Sequence, residues 1–162
     1  MLAIFLFIVA ILFSLAHLAY AGKWTPAYRA EVFLSYVLLL CVGVMSTIGA
    51  FMHLVMGPET AHMIGWAPGS PFQFEIGAAN LAFAFLGLMS YSIRGSFWEA
   101  AIFGFSVFVL GCFVGHVINY FETGNTAPYN IGIAIWFYDL ILPFILLGTL
   151  AYLRNAQRLE KN

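Results

Sequence analysis

The sequence predicts an all-α integral membrane bundle of five transmembrane helices, with the amino terminus outside and the carboxyl terminus in the cytoplasm. Composition is the first reason. Of 162 residues, 63% are hydrophobic and only 8% charged, whereas a soluble domain carries about a quarter charged residues. So little charge cannot coat a water-facing surface, and lipid is the natural solvent. The second reason is length: five apolar runs each reach roughly 20 residues, enough for a helix to cross a bilayer. The third is charge placement. Lys23, Arg29, Arg94, Arg154, Arg158 and Lys161 fall only in alternate connections, as cytoplasmic segments do under the positive-inside rule. The expectation is one multi-pass domain over 1–162 in the cell's inner membrane. A net charge of −1 gives no reason to propose a nucleic-acid partner.

The first run, 1–21, resembles a signal peptide, with Ala19-Tyr20-Ala21 as a cleavage-like site. Its positive charges follow the apolar stretch instead of preceding it, so a retained helix with its amino end outside is expected. Thr25-Pro26 interrupts the junction before the second run, 32–56, and Gly57-Pro58 ends that run. Gly57 to Trp66 is expected to form a short interfacial helix, with Glu59 and His62 on one face. The third run, 71–91, opens at Ser70-Pro71, with Gln73 completing a Ser-x-x-Gln capping box. Arg94-Gly95-Ser96 separates it from the fourth, 98–120. Thr123-Gly124-Asn125 and Pro128 precede the fifth, 131–153, where Asn130 is a candidate cap. Trp24 and Trp98 fall near the inner boundary, Trp66 and Trp136 near the outer one, as in interfacial aromatic belts. Cys41 and Cys112 lie inside apolar runs and read as small packing residues.

Function is expected where ionisable groups enter the bilayer. Counting about 1.5 Å per residue, His53, Glu75 and His116 lie one turn below the outer ends of three different helices. Asp139 lies roughly 12 Å down a fourth. Such residues are costly in lipid and face a protein interior or a wet cavity. His53, Glu75, His116 and Asp139 are therefore the candidate metal ligands or proton carriers, with Asn80 and Asn119 as supporting cofactor-binding residues. Small residues prepare the faces around them: Ser46, Gly49 and Ala50 below His53; Gly77, Ala84 and Gly87 along the Gln73–Asn80 stripe; and Gly111-x-x-x-Gly115 beside His116. The Gly111–Gly115 pair is the kind that lets a neighbouring helix approach. Glu75 and Asn80 sit about 140° apart around their helix. Pro143 withdraws a backbone donor near Asp139, so a kink is expected there.

Two histidines and two carboxylates suit a divalent transition metal such as zinc, iron or manganese. Haem b between His53 and His116 is a weaker option, because no basic residue on that side would meet its propionates. The same groups could move protons or hold a small lipophilic ligand such as a quinone, in redox or proton chemistry. No nucleophilic triad, phosphate loop or dinucleotide fingerprint is present. The alternative is a non-catalytic accessory subunit of a homo-oligomer or larger membrane complex, in which these polar groups only lock helices together. His17, on the inner side, reads as a packing or snorkelling residue.

The stretch His53-Leu54-Val55-Met56-Gly57-Pro58, then Ile64-Gly65-Trp66 and Ser70-Pro71-Phe72-Gln73-Phe74-Glu75, resembles a family of small prokaryotic membrane proteins of unknown function. The resemblance extends through Gly115-His116 and the last span. It implies the same small helical membrane fold and no established activity. The helix, Gly-Pro, loop, Glu, helix pattern is more weakly similar to DoxX-like proteins, some of which are linked to quinone-coupled oxidation.

Overall fold

A computed structural model describes residues 1–161. The described residues form six helices: α1 (Leu2–Ala21), α2 (Pro26–Val55), the short α3 (Gly57–Ile64), α4 (Phe72–Met89), α5 (Ser96–Thr123) and α6 (Pro128–Leu159). All but α3 are long and apolar enough to cross a membrane. No strand occurs among the described residues, as expected where lipid cannot satisfy open backbone groups.

Helix starts follow local chemistry. Thr25 caps α2, its hydroxyl accepting from Tyr28 N–H at 3.4 Å, and Pro26 takes the first helical position. The helix thus begins six residues before its apolar run, and Arg29 and Glu31 ride on its first turns. Pro58 plays the same opening role in α3. The Ser70-x-x-Gln73 capping box does not form. The Ser70 hydroxyl accepts from Phe72 N–H at 3.2 Å, but the buried Gln73 side chain turns away to meet His53. Asn130 likewise is no cap. It sits inside the first turn of α6, fully buried.

The core lies between α1, α2, α5 and α6, where Leu34, Leu38, Ile102, Phe105, Leu142 and Leu146 are almost wholly enclosed. Most other large apolar side chains face outward, as lipid permits. α4 stands outside this core and leans on α2 through Gln73, Gly77, Ala84 and Gly87. The two backbones touch: a Cβ on Gly43 would come within 2.8 Å of Leu88 N. A Cβ on Gly87 would overlap the Gly43 backbone. Gly43 belongs to a π-helical stretch, Leu38–Val44, inside α2. α4 reaches α5 through Phe83, whose ring lies 5.0 Å from that of Phe108 and 5.7 Å from that of Phe105.

The two ends of the bundle differ chemically. One end gathers the basic segments. Arg94 pairs with Glu31 at 2.5 Å, Arg154 pairs with Glu99, and Glu160 accepts from Ala27 N–H at the start of α2. His17 sits there too, held between the hydroxyls of Tyr36 at 3.1 Å and Tyr28 at 3.2 Å. Both ion pairs are substantially exposed, so each is worth under about 1 kcal/mol. Glu99→Gln is therefore expected to leave the thermal unfolding temperature in detergent nearly unchanged. The tryptophans do not make a simple belt. Trp24 and Trp136 are exposed, but Trp98 is buried and donates its indole N–H to Ser90 O at 2.7 Å, closing the turn between α4 and α5.

Candidate functional site

The opposite end carries the amides and imidazoles. Asn125, in the loop after α5, organises them. Its side-chain N–H groups reach Ile64 O and Asn119 Oδ1, both at 2.9 Å, and its Oδ1 accepts from Ala127 N–H at 3.0 Å. Asn119 Oδ1 also accepts from the Trp66 indole at 3.1 Å. Asn130 donates to Asn125 O at 3.0 Å. That bond turns its carbonyl oxygen toward His116, 2.9 Å from Nδ1. An amide oxygen only accepts, so His116 Nδ1 carries a proton, and in the neutral ring Nε2 keeps its lone pair. The Trp66 ring stacks on His116 at 5.5 Å, with an interplanar angle of 24°. α3 and the residues after it thus close over the histidine, and the Thr60 hydroxyl ties α3 back to Met52 O and Met56 O.

His116 Nε2 faces Asp139 Oδ2 at 4.0 Å, too far for a direct hydrogen bond. Asp139 is 6% exposed. It lies on a π-helical stretch of α6, Trp136–Ile141, where Leu142 N–H reaches back to Phe137 O. Pro143, which can give no N–H, follows this π turn at once. One residue before Asp139, Tyr138 Oη lies 3.4 Å from Ser46 Oγ on α2. His53, at the end of α2, is held the same way as His116: its Nδ1 lies 2.7 Å from Gln73 Oε1.

His53, His116 and Asp139 all line one cavity of about 770 Å³. Its walls are otherwise mainly apolar, from Met45, Ile48 and Met52 on α2, Ile64 on α3, Ile76 on α4, Phe108 and Val109 on α5, and Ile135 on α6. Asn80 lines it as well, bonded to its own helix at Ile76 O and packed against Gly49. Gly111, Cys112 and Gly115 form part of the α5 wall. A Cβ on Gly111 or Gly115 would meet nothing within 4 Å. This small-residue pair opens onto the cavity and is not a helix contact within the chain.

The two remaining sequence candidates lie elsewhere. Glu75 is exposed in the first turn of α4 and is not part of the cavity wall. Asn119 acts one step back, through Trp66 and Asn125. Among the described residues, no three His, Cys, Asp or Glu side chains are grouped to hold one ion. Asn125 and Asn130, the residues that orient His116, carry only turn and cap chemistry in the sequence. Their one sequence-level signal is that several amides crowd a short stretch beside a histidine helix.

Comparison with known proteins adds a family and no activity. The sequence model of a family described as a family of unknown function, DUF6790, matches residues 1–159. No curated protein and no solved structure matches the chain.

Proposed function

We propose, for a chain that belongs to the DUF6790 family of unknown function, that this multi-pass membrane protein binds a lipophilic small molecule with a polar head. A quinone or quinol is the type of ligand meant. The single observation behind this is the asymmetry of the cavity. Its volume of about 770 Å³ lies within the range of small-molecule sites, roughly 300–1,000 Å³. Its walls are mainly apolar, and His53, His116 and Asp139 are the imidazole and carboxyl groups among them. Such a site would take a tail along the α2 and α5 walls and a head beside His116 and Asp139, which could then exchange a proton with it. The basic end is the cytoplasmic one under the positive-inside rule, which puts the site in the outer half of an inner membrane.

The test uses purified protein in lipid nanodiscs, carrying Trp24→Phe and Trp136→Phe so that lipid-exposed indoles are silent. A brominated long-chain alcohol is titrated against the fluorescence of Trp66, which lines the cavity. Saturable quenching is expected. Quenching that rises only linearly with bromine in the bilayer would sink the proposal.

A divalent metal is the second possibility, for one reason. Both histidines have Nδ1 tied to an amide carbonyl, which is how ligating imidazoles are commonly oriented. His53, His116 and Asp139 would be the ligands, and they would have to draw together to hold one ion, since no three such side chains are so grouped among the described residues. Equimolar zinc, iron or manganese in protein purified without chelator would favour it over the lipophile. An accessory-subunit role predicts instead that His116→Gln and Asp139→Asn leave assembly and cellular function intact.

A further inference from the structure

We infer that this cavity selects a head group that donates hydrogen bonds, a hydroxyl or an amine, and rejects an acidic one. The inference rests on the proposed lipophile site and assigns its ligand class. Three observations converge on it. First, the Asp139 carboxyl group is 6% exposed, lines the cavity and has no hydrogen-bond partner among the described residues; its nearest basic group is His116 Nε2 at 4.0 Å. A carboxyl group this enclosed either takes up a proton or, as an anion, needs a group that donates to it. Second, His116 Nε2 is itself an acceptor, because Asn130 Oδ1 claims the proton on Nδ1 and Asn130 is locked by its own bond to Asn125 O. With Asp139 ionised, two acceptors therefore face one gap. An ammonium can donate to both at once, and a hydroxyl, with one proton, can donate to one of them. Third, no lysine or arginine side chain lines the cavity. A fatty acid or phosphate head would meet a carboxylate and find no lysine or arginine side chain to offset it. For a quinone couple, this places the quinol, which carries the hydroxyls, ahead of the quinone.

The same nanodisc protein, with Trp66 as reporter, decides it. Brominated probes of equal chain length are compared: an alcohol, an amine and a carboxylic acid, at pH 8 so that the acid is ionised. The alcohol and the amine are expected to saturate at concentrations at least tenfold below the acid. In Asp139→Asn, whose side chain can itself donate, the preference over the acid is expected to shrink several-fold. In His116→Gln, with an amide at the same place, alcohol binding is expected to weaken. Acid binding as tight as alcohol binding, or a preference unchanged in Asp139→Asn, would overturn the assignment while leaving a lipophile site in place. Failure of all three probes to saturate would remove the site itself. Circular dichroism and detergent size profiles like those of the parent protein confirm that each variant is folded.

Discussion

Gly87→Leu is expected to cause the largest loss of stability of any single substitution in the spans, about 3 kcal/mol or more. The reason is backbone contact. In most helix pairs a side chain can rotate to make room. Here a Cβ on Gly87 would meet the N and Cα of Gly43 and come within 2.8 Å of Val42 C. None of these atoms can move without shifting α2. Overpacking of a core costs about 1–3 kcal/mol when side chains can adjust, and this site lies at or above the top of that range. α4 is poorly placed to absorb the strain, since it stands outside the core of α1, α2, α5 and α6. The control is Gly111→Ala. A Cβ there meets nothing within 4 Å, and replacing a helix-interior glycine by alanine favours the helix by up to about 1 kcal/mol. Thermal unfolding of detergent-solubilised protein should show a large fall for Gly87→Leu and no fall for Gly111→Ala. Equal falls would mean that α4 does not pack on α2 as described.

These two glycines show where sequence reasoning stops. Both sit in small-residue stripes, and the stripes alone do not say which one meets a helix. Gly87 does so because a π stretch in α2 brings Gly43 against it. Gly111 and Gly115 instead open onto the cavity. The spans themselves are legible, because about 20 apolar residues in a row have few alternatives to a membrane helix. Their ends are less so. Hydropathy places the second span at 32–56, but the helix runs Pro26–Val55. Charged residues near a membrane surface remain helical, and the Thr25 cap with Pro26 sets the start. The fifth is extended at both ends for the same reason, Pro128–Leu159 against 131–153.

The candidate site divides along a similar line. His53, His116, Asp139 and Asn80 stand out because lipid penalises polar side chains, and the fold brings all four to one cavity. Glu75 satisfies the same depth rule, yet its side of α4 is exposed. Depth is one coordinate, and rotation about the helix is the other. A polar residue's rotation is readable only relative to its own helix, as in the angle between Glu75 and Asn80, until the neighbouring helix is known. The amides around His116 are harder still. Asn125 and Asn130 lie beside a glycine and a proline, where an asparagine is most simply explained by the turn.

Asn130→Ala therefore makes the sharpest test of the site, because the residue is not part of the cavity wall. Its side chain is fully buried and holds two partners, His116 Nδ1 and Asn125 O. Alanine leaves both without a partner. An unsatisfied buried polar group costs about 1–3 kcal/mol, so a loss of about 2 kcal/mol or more is expected in thermal unfolding. The consequence for binding is distinct from that loss. Without the Asn130 carbonyl, nothing in the chain specifies which nitrogen of His116 bears the proton. The imidazole can then point an N–H at Asp139 and close the gap that a ligand hydroxyl would fill. Alcohol-probe binding should weaken at least tenfold at temperatures where the protein remains folded. Tyr129→Phe, one residue earlier and on the cavity wall itself, should weaken binding far less, because its hydroxyl takes no part in orienting His116. If Asn130→Ala binds the alcohol like the parent while losing stability, the amide chain is a helix lock only, and the geometry of His116 is not what prepares the cavity.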